Sequence, residues 1–333
     1  MLCGVLLSLS ACYYMQAARG QYDVMRRREP IDEVITAEET PAALAARLRL
    51  VEAARQFSID ELGLPDNGSY RSFADLERDY ALWNVIAAPE LSLQPKQWCY
   101  PIVGCVSYRG YFSEAKARRL GKQLGEDGYD VVVGGVAAYS TLGRFDDPIL
   151  NTMMHWEDVD LVAVMFHELA HQVIYIKDDS GFNESFATAV EEFGVERWLL
   201  QRDRSAEIDA YHARRELQRR LMQLIAQARD DLETIYASGV ALEVMRTSKQ
   251  QRLQQLSDSA FQAYENDART APDWWRDDLN NARLASMTLY HGLLPAFRAL
   301  LAQCDGDLQC FYAEAAAIAE LDKNERDARL AAL

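Results

Sequence analysis

The sequence predicts an α+β fold: a small mixed sheet, a helix bearing two histidines four residues apart, and a mostly helical C-terminal part. Three observations predict it. Leu161, Val162, Val164, Met165, Leu169, Val173 and Ile174 form a wide apolar stripe at helical spacing, with no Pro or Gly between them. Short runs between Tyr70 and Tyr139 are rich in aromatic and β-branched residues, the composition of strands. From Gln201 to Asn266 the chain is charged and free of Pro, and Leu217, Leu221, Leu224, Ile225, Leu232 and Ile235 recur at helical spacing.

The chain has 333 residues, 49% of them apolar and 26% charged, the proportions of a globular protein. Lys plus Arg total 35 against 51 for Asp plus Glu, a formal charge of −16. That balance argues against nucleic acid as a partner and against adsorption to anionic lipid through charge.

Taken in order, Met1 to Ala18 carries no charged side chain, and its apolar run ends in Leu9-Ser-Ala-Cys12. This resembles a bacterial lipobox, in which Cys12 would become the acylated first residue of the mature protein. Residues 1–11 then read as a lipoprotein-type signal peptide and residues 12–40 as a tether, with a first helix as the alternative over Gln21–Pro30. A basic segment ordinarily precedes such a run and none does here, so an uncleaved membrane anchor and a plain cleaved signal remain the alternatives. Tyr13 follows the cysteine where an Asp would imply inner-membrane retention. The resemblance therefore implies a lipid-anchored, periplasm-facing protein of the bacterial envelope, on the outer membrane rather than the inner.

Thr40-Pro41 opens a helix, with a cap and then Pro in the first turn, and Leu64-Pro-Asp-Asn-Gly68 closes the region with a turn. The remainder, 41–333, reads as one domain: a sheet region over about 70–140, helices over about 158–200 and a helical part over about 201–333. Strands are expected at Tyr80–Ala87, Gly104–Phe112 and Tyr129–Val136. The last two flank a helix that starts at Ser113 and stops at Gly128, which predicts parallel neighbours in one sheet. Cys99 and Cys105, and again Cys304 and Cys310, have five residues between them, and no C-x-x-C motif occurs. In an oxidising compartment these pairs would close two small disulfide loops; four buried thiols are the alternative reading.

His167, Glu168 and His171 form an H-E-x-x-H sequence inside the apolar helix. Residues four apart lie about 6 Å apart along a helix and on the same face, so both imidazoles can hold one metal ion. Such a motif also arises by chance, but two histidines and a glutamate in an apolar helix are costly without compensation. Asp178, Asp179, Ser180 and Gly181 signal a turn. Asn183 is placed to cap a second helix opening at Glu184, thirteen residues after His171. Helix, turn and helix would bring the Glu184 carboxylate over the two rings. Two neutral imidazoles and a carboxylate suit one zinc ion per chain, with a coordination position left for water and Glu168 beside it to take a proton. Thr188, Glu191 and Glu192 lie one to two turns beyond Glu184. Thr188 and Glu191 have the helical phase of an outer partner to a ligating histidine.

The pair HELAH and NESFA resembles the gluzincin metallopeptidases. By position the resemblance makes His167, His171 and Glu184 the zinc ligands and Glu168 the general base. The spacing to Glu184 is shorter than in thermolysin-like and leucyl-aminopeptidase-like enzymes, so the connecting loop must be tighter. The wider text, including NGSYRS, WNVIAAPE, WCYPIVGCVSYRGYFSEA and VGGVAAYSTLGRFDDP, resembles a bacterial family of predicted aminopeptidases over most of the chain.

The resemblance implies a zincin-like catalytic domain that hydrolyses peptide bonds. It also implies an edge strand against which an extended peptide substrate pairs, with Gly134 and Gly135 leaving room for a second backbone; a simple bulge is the alternative. Tyr139 could reach the scissile carbonyl, or simply pack. Tyr290 and His291 are the candidates for oxyanion support, and Asn280 or Asn281 for holding substrate backbone. An aminopeptidase-like exopeptidase is the leading reading. An envelope zinc endopeptidase, and a non-catalytic helical scaffold or chaperone with a vestigial zinc site, are the rivals.

Overall fold

Leu82–Pro89 is buried at alternate positions along most of its length, the signature of a strand with one face on the core. In the computed structural model, which describes residues 3–100, 104–287 and 292–333, it is the middle strand of a three-stranded sheet. The chain divides into two compact units, each assembled from three stretches.

The first unit comprises Met1–Gln21, Leu82–Val136 and Asp209–Leu289. Its sheet places Arg109–Tyr111 and Tyr129–Val136 on either side of Leu82–Pro89, both antiparallel to it. The strands flanking the Glu114–Glu126 helix are thus parallel to each other, yet not neighbours as expected, because the earlier strand lies between them. Ala117 and Leu124 of that helix pack with Trp83, Val85 and Ala87. Gly121 permits the close approach, since a Cβ there would lie 2.6 Å from Val133. The expected single strand Gly104–Phe112 is split. Gly104–Val106 pairs with Trp98–Tyr100, to which the Cys99–Cys105 disulfide ties it, while Arg109–Tyr111 joins the larger sheet.

Ala282, on the helix Asn281–Met287, packs with Ala88 and Val132 of the sheet. Asn281 is fully buried; its amide donates to the carbonyls of Pro89 (3.1 Å), Glu90 (2.9 Å) and Ser92 (3.1 Å), and its oxygen accepts from Tyr236 at 2.8 Å. Asn280 donates to Val131 O at 3.2 Å. The two asparagines read as grips for substrate backbone instead hold this chain's own. The helices Ala206–Ala237 and Leu242–Asn266 form the expected hairpin, turning at Gly239 with φ 69°. Leu217, Leu221, Ile225 and Leu232 meet Leu253, Leu256 and Ala260 in its core.

The second unit comprises Tyr22–Ala81, Ala137–Ile208 and Tyr290–Leu333. Its sheet is mixed: Ser72–Ala74 pairs antiparallel with Arg28–Pro30 and parallel with Ile149–Leu150. The stretch read as a tether is therefore folded, with Arg28–Pro30 in that sheet and Ile31–Thr36 helical. Helices Ala42–Asp60, Asp158–Ala170 and Ser180–Gln201 meet through Phe57, Phe166 and Trp198, whose ring centroids are 5.1–6.4 Å apart. Gly194 lets them close, since a Cβ there would lie 2.7 Å from Leu62 and 2.9 Å from Phe166. Phe297 and Phe311, on the helices Leu294–Gln303 and Leu308–Ala319, pack against Phe182 and Phe186. The Cys304–Cys310 disulfide closes the turn between those two helices. Among the described residues no helix is long and apolar enough to cross a membrane. Cys12 falls within the helix Cys3–Arg26.

Candidate metal centre

The Asp158–Ala170 helix is apolar around most of its circumference, and Val159, Leu161, Val162, Met165, Phe166 and Leu169 are all buried. Asp158 and Asp160 in its first turn complement the helix dipole. The helix ends one residue before His171, sooner than the apolar stripe suggests. His171 nevertheless keeps helical dihedrals (φ −60°, ψ −19°), and its N–H reaches His167 O at 3.3 Å. The four-residue spacing therefore still stacks the two side chains, and the imidazole Nε2 atoms face each other at 3.1 Å.

Glu184 closes the group. Its Oε2 lies 3.1 Å from His167 Nε2 and its Oε1 lies 3.7 Å from His171 Nε2. One ligand atom from each of the three residues falls within 4.8 Å of the others. Metal bonds of about 2.0–2.1 Å at tetrahedral angles set ligand atoms about 3.3–3.4 Å apart; the two Nε2 atoms, and His167 Nε2 and Glu184 Oε2, lie near that spacing at 3.1 Å, with the other Glu184 oxygen 3.7 Å from His171 Nε2. Two imidazole lone pairs and a carboxylate converging on one point repel one another unless a cation or a proton lies between them. The donor set thus fits a divalent metal with a preference for nitrogen and carboxylate ligands.

Without a metal, the proton takes that place. Burial disfavours a charge on His167, but hydrogen bonds to Glu184 and Glu191 outweigh it and raise the ring to about 10. Burial, then the charge on His167, push His171 down to about 4. Glu191 Oε2 lies 3.1 Å from His167 Nδ1, the outer-carboxylate contact that fixes the tautomer of a ligating histidine. Thr188 is buried in the helix and bonds to neither ring among the described residues. Glu192 pairs instead with Arg298 at 2.6 Å. His171 Nδ1 is buried with no partner among the described residues. Glu168, beside the first ligand, is half-buried, and the Ser140 hydroxyl favours its charged form. Burial raises its pKa, the charge of His167 opposes that rise, and the Glu184 carboxylate adds to it.

The tight loop has its own fastening. Asp178 adopts φ 62°, and Asp179, not Asn183, caps the second helix, accepting from Phe182 N at 3.2 Å. That helix opens at Ser180, a turn earlier than read, so Asn183 lies inside it and holds the preceding loop. Its Oδ1 accepts from Ile176 N at 2.8 Å and its Nδ2 donates to Ile176 O at 2.7 Å. Asp179 is buried and paired with Arg326, 2.9 Å away, on the helix Lys323–Ala331.

Of the residues singled out in the sequence, the structure brings together His167, Glu168, His171, Glu184 and Glu191. Tyr139 is half-buried and lies in the electrostatic reach of Arg78. Gly134 and Gly135 are on the outer strand of the first unit, paired with Asn84 and Trp83, and a Cβ on Gly134 would meet nothing within 4 Å. Tyr290 and His291 lie outside the described residues. Sequence reasoning passed over Tyr70, Ser140, Asp147 and Gln172. They come from loops whose spacing carries no periodic signal, although Tyr70 stands in the NGSYRS stretch.

No curated protein and no solved structure matches the chain. A family model described as "Putative aminopeptidase" matches residues 12–330. With nearly the whole chain covered, this protein belongs to that family.

Proposed function

We propose that the protein is a zinc-dependent peptidase of the bacterial cell envelope, acting as an aminopeptidase and held to the membrane through a lipid on Cys12. The observation that carries the reading is the convergence of His167, His171 and Glu184, with the Glu168 carboxyl beside them. Family membership supports peptidase chemistry. Three protein ligands leave a coordination position open, whereas structural zinc sites are closed by four ligands that usually include Cys.

The His167 and His171 rings and the Glu184 carboxylate would hold one zinc ion, which when bound polarises water and the substrate carbonyl. Glu168 takes the proton of the attacking water on its carboxylate and passes it to the departing amine nitrogen. Burial raises its proton affinity, which suits a group that must both accept and return a proton near neutrality. Glu191 holds the His167 ring through Nδ1, so its Nε2 stays aimed inward. The gluzincin resemblance of HELAH and NESFA supports the same assignments.

Metal analysis of the purified protein should find about one zinc per chain. Incubation with a mixed peptide library, read by mass spectrometry, should give ladders shortened from the amino end. Internal cuts would make it an endopeptidase, and an untouched library would end the peptidase reading. Metabolic labelling with a fatty-acid analogue tests the anchor: label lost in Cys12→Ala supports it, and label retained removes it.

A further inference from the structure

Tyr70 has a left-handed backbone, φ 61°, a conformation that a bulky side chain adopts only when its surroundings impose it. The surroundings do so with uncommon investment. Arg55, itself buried, donates to the carbonyls of Ser69 at 2.9 Å, Pro65 at 2.6 Å and Asn67 at 3.2 Å. The Asn67 amide donates to Gln172 Oε1 at 2.6 Å, and Gln172 Nε2 donates back to Ser69 Oγ at 3.3 Å. Gln172 directly follows the ligand His171, so this loop is fastened to the end of the metal helix. Tyr70 N–H donates to Asp147 O at 2.7 Å, which holds the residue from its other side.

The side chain so placed is 5% exposed. Among the described residues no hydrogen bond engages its hydroxyl. The Glu168 carboxylate acts on it electrostatically, as does Asp147. Burial first, then these two charges, push the phenol well above its ordinary range, so it keeps its proton and remains a donor. A strained donor on a loop braced against the residue that follows His171 is placed for an acceptor that arrives with the substrate.

We propose that Tyr70 is a catalytic residue whose hydroxyl donates a hydrogen bond to the carbonyl oxygen of the peptide bond being cleaved. This rests on the peptidase reading above. It assigns oxyanion support to the loop Asn67–Tyr70, ahead of the metal helix in sequence.

Tyr70→Phe in the full, metal-loaded chain removes the donor and keeps the ring. It should lower kcat about 10²-fold, the usual loss for one oxyanion donor, with KM changed little and zinc content unaltered. Affinity for a phosphinic pseudopeptide, whose tetrahedral oxygen mimics the developing charge, should fall by a similar factor. Wild-type kcat in this variant overturns the proposal, as does a lower kcat with undiminished phosphinic affinity. If Phe at that position does not fold, 3,5-difluorotyrosine keeps the shape and acidifies the hydroxyl. A kcat and pH profile identical to wild type would then overturn it. A wild-type protein that cuts no peptide defeats the peptidase reading and this proposal with it. Wild-type cleavage unaffected by Tyr70→Phe defeats this proposal alone.

Discussion

Asn183 grips the peptide of Ile176 from both sides, accepting from its N–H at 2.8 Å and donating to its carbonyl at 2.7 Å. The next residue, Glu184, is the carboxylate that closes the metal group. One side chain thus sets the loop that joins two ligand-bearing helices. Asn183→Ala leaves two backbone groups without their partner, at a cost of about 1–3 kcal/mol in stability. Chemical denaturation should show that loss, and competition with a chelating dye should show weaker metal binding. Unchanged values in both would mean that the loop holds itself.

Glu168→Gln keeps the shape of the side chain and removes its capacity to take a proton. Metal content should stay at the wild-type level while hydrolysis falls by about 10²–10⁴-fold. Atomic absorption and a peptide-cleavage assay on the same sample separate the two effects. Full turnover in the variant would remove the mechanism.

Metal uptake should release protons. His167 is raised to about 10 in the metal-free protein by its hydrogen bonds to Glu184 and Glu191, against the opposing effect of burial, and so carries a proton at neutral pH. It must lose that proton to become a ligand. His171, lowered to about 4, is already neutral there and releases none. Calorimetry in buffers of different ionisation enthalpy should therefore find about one proton expelled per metal at pH 7. Affinity should rise about tenfold per pH unit toward the His167 value and level off above it. A flat profile between pH 6 and 9 would contradict this.

Glu191→Gln keeps an oxygen near His167 Nδ1 but takes away the charge that now faces it at 3.1 Å. Loss of such an outer carboxylate weakens metal binding by about 10- to 100-fold. The same change should lower the proton count on metal uptake, because one of the three carboxylates raising His167 is gone. An unaltered count would show that Glu184 and Glu168 suffice to set the ring's charge.

Arg326→Ala takes the nearer of two cations from the buried carboxylate of Asp179 that caps the Ser180–Gln201 helix, leaving Lys323 at 3.7 Å. Breaking a buried pair from one side costs about 3–5 kcal/mol. The expected result is a lower denaturation midpoint together with weaker metal retention, since the weakened cap adjoins the ligand loop. The paired change Asp179→Asn with Arg326→Met should recover part of the stability.

Much of the architecture was readable because it is periodic. The Leu161–Ile174 stripe marks the metal helix, Leu217 to Ile235 marks the hairpin, and Tyr129–Val136 is a strand with the expected bounds. What escaped depends on contacts distant in sequence. Strand order could not be read from the Glu114–Glu126 crossover, because Leu82–Pro89 inserts between its flanking strands. Asn183 carries the mark of a cap, yet Asp179 wins that position because Arg326 compensates its buried charge. Thr188 and Glu191 share the right helical phase, and only reach separates them: the longer side chain arrives at His167 and the threonine does not. Tyr70 gave no signal, since a left-handed tyrosine has no signature beyond the Asn-Gly-Ser ahead of it.

The link between Asp179 and Arg326 also has a consequence for timing. The two partners are 147 positions apart, so a growing polypeptide presents its histidines and glutamate long before the arginine that neutralises the cap has been made. Until then the ligand turn carries an uncompensated charge with no reason to enter the interior. Metal binding at this turn, and with it the proposed hydrolytic competence, would therefore come only after synthesis is nearly complete.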